Sequence, residues 1–187
     1  MPFCLPTNNI VTSDFNALGF IKSILFLERG NNMKENNTVN IRTSLTVTAA
    51  TISEAHFVST LYIQNKDALK TENISLNGWK KLLSAKDPDE KHFLIYNGDI
   101  PVAYMKINGL LNSKQAWISM LFVSKDFQRQ GIGTFAIEYA EKHVREMGFD
   151  TLCIQTDVNN ISAINCYLKS GYQIYENKSK IKFRKTL

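Results

Sequence analysis

The stretch from Ala116 to Met147 constrains this chain more than any other. Ala116–Val123 is mostly apolar and reads as a strand buried on both faces. A polar loop follows, and Gly131 and Gly133 then open a helix over Gly133–Met147. Ile137, Ala140, Val144 and Met147 form its core stripe, and Glu138–Lys142 and Glu141–Arg145 are exposed i,i+4 pairs of favourable order. Helix N-termini present unpaired N–H groups and the positive end of a dipole. Glycines let a phosphate approach the backbone closely, and Lys125 and Arg129 add positive charge. The unit therefore reads as an anion-binding strand–loop–helix.

Two nucleotide-binding readings compete. A Walker loop needs GxxxxGK followed by Ser or Thr, and the chain has none. Gly131-x-Gly133-x-x-Ala136 fits a dinucleotide fingerprint, with Asp157 at a plausible distance. That fingerprint turns almost directly off its strand, whereas 7 residues separate Val123 from Gly131. Only 30 residues follow Asp157, too few to complete a doubly wound domain. Alone, the glycine pair is equally compatible with a helix start that merely packs.

The other elements make a mixed α/β order. Asn40–Val47 reads as a strand, Thr51-Ile-Ser-Glu54 as a capping box before a helix over Ala55–Gln64, and Ser75–Ala85 as a second helix. His92–Tyr96 and Val102–Ile107 flank a hairpin turn at Asn97-Gly98-Asp99, with His92 and Asp99 expected in solvent. Thr151–Thr156 is a strand, Ile161–Lys169 a short helix closed by Gly171, and Tyr172–Tyr175 and Lys180–Lys185 are closing strands.

Residues 1–38 stand apart as an N-terminal extension and linker, and 39–187 form the domain. Five asparagines crowd Asn31–Asn40 without apolar periodicity. Met33 is an alternative start, and Phe15–Leu27 an alternative accessory helix; both readings stay open. The apolar run at Phe20–Leu27 is far too short to span a bilayer and carries Lys22. It lacks signal-peptide flanks, and Cys4, Cys153 and Cys166 form no CxxC pair, so a cytoplasmic protein with reduced thiols is expected. The net charge is +5, but Lys178, Lys180, Lys182, Arg184 and Lys185 account for all of it. Their alternation suggests one basic face of an edge strand, guarding against edge pairing rather than binding nucleic acid.

After the strand at Thr151–Thr156 comes Asn160-x-x-Ala163-x-x-x-Tyr167-x-x-x-Gly171-Tyr172. With Gln128-x-x-Gly131-x-Gly133, in the same order, this resembles the paired motifs of the GNAT superfamily of acyl-CoA-dependent N-acetyltransferases. The resemblance covers roughly Asn40 to Leu187. It implies a central twisted, mostly antiparallel sheet with a splayed pair of parallel strands, flanked by helices. It also implies acetyl-CoA as cosubstrate, no metal, and an amine of a small molecule or peptide as acceptor. Strand residues Leu121, Phe122 and Val123 would bind the pantetheine arm, chiefly through the backbone of Leu121 and Val123. Backbone amides of Gln128, Arg129, Gln130, Gly131, Ile132, Gly133 and Thr134 would hold the pyrophosphate. Asn160 would contact pantetheine, and Tyr167 would act as general acid.

The chemistry is consistent. Acyl transfer passes through an oxyanion that expels a thiolate, and a phenol with a reference pKa of ~10 can protonate a thiolate whose conjugate acid lies near ~8.5. Plainer roles remain open: Asn160 as a helix N-cap, Tyr167 as a core aromatic, Cys166 as a small buried hydrophobe. Many family members carry a Glu on the strand before the loop; Trp117–Val123 has only Ser119 as a polar side chain, and no base is assigned. The missing base is what supports the alternative of a non-catalytic acyl-CoA-binding module.

Overall fold

The computed structural model describes residues 44–69, 73–111 and 114–187, the side chains of 67–69 excepted. The expectations about residues 1–43 lie outside these. β1 (Leu45–Ala49) leads into a single 3-10 turn at Ile52–Glu54 and then α1 (Ala55–Leu69). The capping box forms as the spacing predicts: Thr51 N–H donates to Glu54 Oε2 at 2.7 Å, and Thr51 Oγ1 accepts from Ser53 N–H. α2 (Leu76–Ser84) starts at Ser75, whose hydroxyl accepts from Gly78 N–H at 3.1 Å. β2 (Glu90–Asn97) and β3 (Ile100–Asn108) then form a hairpin, and β4 (Ala116–Val123) precedes α3 (Ile132–Glu146). β5 (Thr151–Asp157), α4 (Ile161–Lys169), β6 (Gln173–Asn177) and β7 (Lys180–Thr186) complete the described order.

The strands make one seven-stranded sheet in the order β1-β2-β3-β4-β5-β7-β6. Every neighbouring pair is antiparallel except β4 and β5. Side chains alternate between its faces with period two. Phe93 and Ile95, Ala103 and Met105, and Ile118 face a core closed by α3 and α4 through Ile132, Ile137, Ala140, Val144 and Ile164. Leu94, Tyr104 and Phe122 face a second core, closed by α1 and α2 through Val58, Leu61, Tyr62, Trp79 and Leu83. No helix among the described residues is long and apolar enough to cross a membrane.

Three readings change. β7 lies between β5 and β6, so its lysines do not guard an edge; the edge on that side is β6, a 5-residue strand bulged at Tyr175. Glu141 is not an exposed partner of Arg145. It is buried, and Lys185 Nζ reaches its Oε2 at 2.8 Å while also donating to Ser170 O at 2.9 Å. β4 is not buried on both faces: Ser119 is exposed, and Met120 and Leu121 are half-buried.

Candidate active site

The exposed half of β4 marks where the sheet opens. β4 pairs with β5 only through Ala116–Ile118 against Leu152–Ile154, although the two strands continue to Val123 and Asp157. On its other edge β4 stays paired with β3 to Val123. Opposite β3, Lys106 faces Met120 and Ile107 faces Ile118, leaving Ser119 as an extra residue. This bulge bends β4 and parts it from β5.

Register then decides which backbone groups face the opening. Ser124 N–H donates to Val102 O at 2.9 Å, so Val123 and Ala103 form a non-hydrogen-bonded pair. By the two-residue repeat, the N–H and C=O of both Leu121 and Val123 point away from β3 and into the splay. Phe122 has the opposite parity. Its backbone pairs with Tyr104, and its ring is buried beneath α1 and α2.

The loop that follows begins with a 3-10 turn at Lys125–Phe127. Gln128 N–H donates to Lys125 O at 3.3 Å. Arg129 takes φ 64, left-handed backbone that costs a non-glycine residue about 1–2 kcal/mol. Gly131, the N-cap of α3, takes φ 84 and ψ −1. No side chain caps this helix start and its first turn holds no acid, which leaves amide donors and the dipole open to an anion. Gly133 lies against α4: a Cβ placed there would sit 3.7 Å from Cys166 Sγ. Cys166 is half-buried and also lies 3.9 Å from Thr134 Oγ1; burial pushes its thiol pKa up, which suits packing rather than nucleophilic attack.

α4 starts at Asn160, whose Oδ1 accepts from Ala163 N–H at 3.2 Å. Asn160 thus is an N-cap, and its Nδ2 is not needed for that task. Tyr167 is 7% exposed, with its ring edge-on to Phe183 at 5.3 Å and tilted against Tyr172 at 6.5 Å. Burial raises its phenol pKa well above the usual tyrosine range, with the adjacent Cys166 adding to the effect. The group holds its proton at any working pH.

A polar cluster that sequence reasoning missed lies on the α1/α2 side. His92 is not solvated: its side chain is 11% exposed, with Nδ1 2.7 Å from the Tyr104 hydroxyl and Nε2 3.4 Å from Glu90. Lys106 bonds the other Glu90 oxygen at 2.6 Å. With the His92 proton on Nε2 facing the carboxylate, Nδ1 accepts from Tyr104. Pairing His92 with Lys106 requires the bulge between Ile95 and Tyr96, beside Pro101, which has no N–H to give the ladder. An unbroken hairpin count from the turn would put His92 opposite Met105 instead.

Burial lowers the His92 pKa, opposed by Glu90 and reinforced by Lys106; burial likewise lowers that of His143. A depressed histidine pKa means that the unfolded chain binds the proton first. Stability should therefore fall as pH drops through the reference value of ~6.5 toward the lower folded values. Urea melts at pH 7.5 and 5.5 check this, and His92→Gln should flatten part of the difference. An unchanged midpoint would mean that both rings accept protons in place.

The described site thus consists of a splayed parallel pair, a helix opened by a glycine and the short α4. The family model described as Acetyltransferase (GNAT) family matches residues 55–172, and the chain belongs to that family. It is 31% identical over 88 residues to "Probable N-acetyltransferase san" of Drosophila melanogaster, a match covering 46% of this chain and 48% of that protein. The alignment thus spans about half the length of this curated relative. An acetyltransferase from Thermus thermophilus superposes with a TM-score of 0.68 at 19% identity, covering 77% of this chain and 97% of that one. PaiA N-acetyltransferase of Thermoplasma acidophilum, in complex with coenzyme A, superposes at 0.62 and 12% identity, over 77% and 99% of the two chains.

Proposed function

We propose that the protein transfers an acetyl group from acetyl-CoA to a primary amine of a small molecule or peptide, by direct attack on the thioester. The observation that carries this reading is the splay itself, where Leu121 and Val123 turn their backbone groups outward and the strand leads into an uncapped helix start. An extended arm with amides can add there as a strand would. Of the backbone from Gln128 to Thr134, the Gln128 N–H is already given to Lys125 O, so the pyrophosphate would meet Arg129 to Thr134, and Asn160 Nδ2 would be free to donate to the arm. Backbone N–H groups on β4 would stabilise the oxyanion, and Tyr167 would donate to the departing thiolate. β4 has no ionisable side chain, and His92 lies two strands from it, about 10 Å by strand spacing. No residue is assigned as base.

Calorimetry with acetyl-CoA, CoA, NAD and ATP, followed by turnover on a panel of amines, tests the proposal. Tighter binding of NAD than of acetyl-CoA would falsify the assignment. Acetyl-CoA binding without turnover on any amine would favour a non-catalytic acyl-CoA-binding module, the reading supported by the absence of an acid on β4.

Gly133→Val supplies a narrower check. The space beside Gly133 admits one methyl against Cys166, but a branched side chain must crowd either α4 or the phosphate approach. Acetyl-CoA affinity should drop about tenfold or more, each factor of ten being ~1.4 kcal/mol, in a protein that still folds. Unchanged affinity in the folded variant would remove this helix start from the site.

A further inference from the structure

Val123 O is the outward-facing carbonyl at the end of β4, and it already has two donors. Asn65 Nδ2, from α1, lies 3.2 Å from it, and Gln128 Nε2, from the loop, 3.1 Å. The two side chains also bond each other, Gln128 Nε2 donating to Asn65 Oδ1 at 3.3 Å. A carbonyl oxygen has two lone pairs, so this one is full. An arm that adds to β4 as a strand needs that carbonyl, and one side chain must leave.

The surroundings decide which. Asn65 is half-buried on a helix that touches both β4 and β5, and its Nδ2 is held a second time by Leu61 O at 2.8 Å. Gln128 is exposed, and among the described residues these shared contacts are its side chain's hydrogen bonds. When Gln128 leaves, Val123 O gains a free lone pair, and Asn65 Oδ1 loses its donor in the same movement. Two acceptors then stand side by side at the splay, one on the strand and one on the helix above it.

We propose that Asn65 is a binding residue for the pantetheine arm of acyl-CoA, and that the Gln128 side chain is a plug which the arm displaces. Asn65 Oδ1 accepts an amide N–H or hydroxyl of the arm, while Asn65 Nδ2 keeps its hold on α1. The inference rests on the acyl-CoA reading given above. It adds α1 to the cofactor cleft and gives the Gln128 side chain a role there, while its backbone N–H is held by Lys125 O.

Calorimetry on folded variants with two probes tests it: acetyl-CoA, which carries the arm, and adenosine 3′,5′-bisphosphate, which does not. Asn65→Leu should weaken acetyl-CoA binding about tenfold, the loss of a buried hydrogen bond, and leave the bisphosphate unchanged. Equal affinity for acetyl-CoA, or an equal loss on both probes, would overturn the assignment of Asn65. Gln128→Ala alters an exposed loop side chain and leaves folding alone. It should tighten acetyl-CoA binding about threefold or more, because the plug's bonds no longer have to be broken. Weaker binding in that variant would overturn the plug. Failure of the wild-type protein to bind acetyl-CoA, by contrast, would sink the acyl-CoA reading itself, which the unmutated protein tests separately.

Discussion

Trp79→Ala should cost about 3–5 kcal/mol of stability, the range for truncating a fully buried aromatic side chain. Trp79 is 0% exposed on α2. Its ring meets Tyr62 of α1 edge-on at 5.5 Å, Tyr104 of β3 at 5.6 Å and Phe122 of β4 at 6.3 Å. It thus touches α1 and two strands of the sheet at once, and deleting it leaves a cavity bounded by three other aromatics. For a domain of this size the melting midpoint should fall by about 6–20 °C, followed by circular dichroism. Trp79 Nε1 is buried without a hydrogen-bond partner among the described residues. Trp79→Phe should therefore cost clearly less than Trp79→Ala, because it loses area but also removes an unsatisfied donor. A loss below about 1 kcal/mol for the alanine variant would mean that α1 and α2 are anchored by something other than this ring.

How far the sequence exposes this molecule depends on the range of the interaction concerned. The capping box at Thr51–Glu54 and the start of α2 at Ser75 are local contests between side chain and backbone, and both are legible. So is the site's linear order, because a helix opened by Gly131 after an apolar strand can be read from one short stretch of chain. Strand order is not local. That Lys180–Thr186 inserts between β5 and β6 is decided by pairing across the sheet, and a basic alternation looks the same on an interior strand as on an edge. Register is hidden for a related reason. The bulge at Ser119, which opens the cleft, and the one beside Pro101, which brings His92 to Lys106, each shift all later partners by one. Glu141 shows a third limit. Helical spacing offers it Arg145, but burial gives it Lys185, 44 positions away.

The Asn65–Val123–Gln128 contacts belong to this class as well. Asn65 and Gln128 are 63 positions apart, and nothing in α1's apolar pattern singles out the asparagine. Only the fold places an α1 side chain at Val123 O, one of the two outward-facing carbonyls of β4 that the motif resemblance gives to the arm. The polar residues of a binding cleft are legible when they lie in the motif and illegible when a helix brings them from elsewhere.

Tyr167→Phe should lower turnover about 100-fold, the lower end of what general acid catalysis contributes, while acetyl-CoA affinity barely changes. The ring is held by Phe183 and Tyr172, contacts a phenylalanine keeps, so the melting midpoint should stay within the small range of a conservative change. Burial raises the phenol's pKa, so the proton is present whenever the enzyme works. The same shift makes full transfer to a thiolate, whose conjugate acid lies near ~8.5, an uphill step. Under the proposed mechanism Tyr167 would act chiefly by a hydrogen bond that strengthens as charge builds on sulfur, the coenzyme leaving as a thiolate that takes its proton from solvent. Because that pKa lies above the ordinary value of ~10, no alkaline loss of activity below that pH should trace to Tyr167, and the Phe variant should keep the wild-type alkaline profile. Steady-state and single-turnover kinetics on the first amine found to be acetylated decide the matter. Wild-type turnover in the folded Phe variant, with chemistry shown to limit the rate, would reduce Tyr167 to a core aromatic. A large loss of stability with proportionate loss of activity would say the same by another route, since the missing hydroxyl would then have been holding the fold.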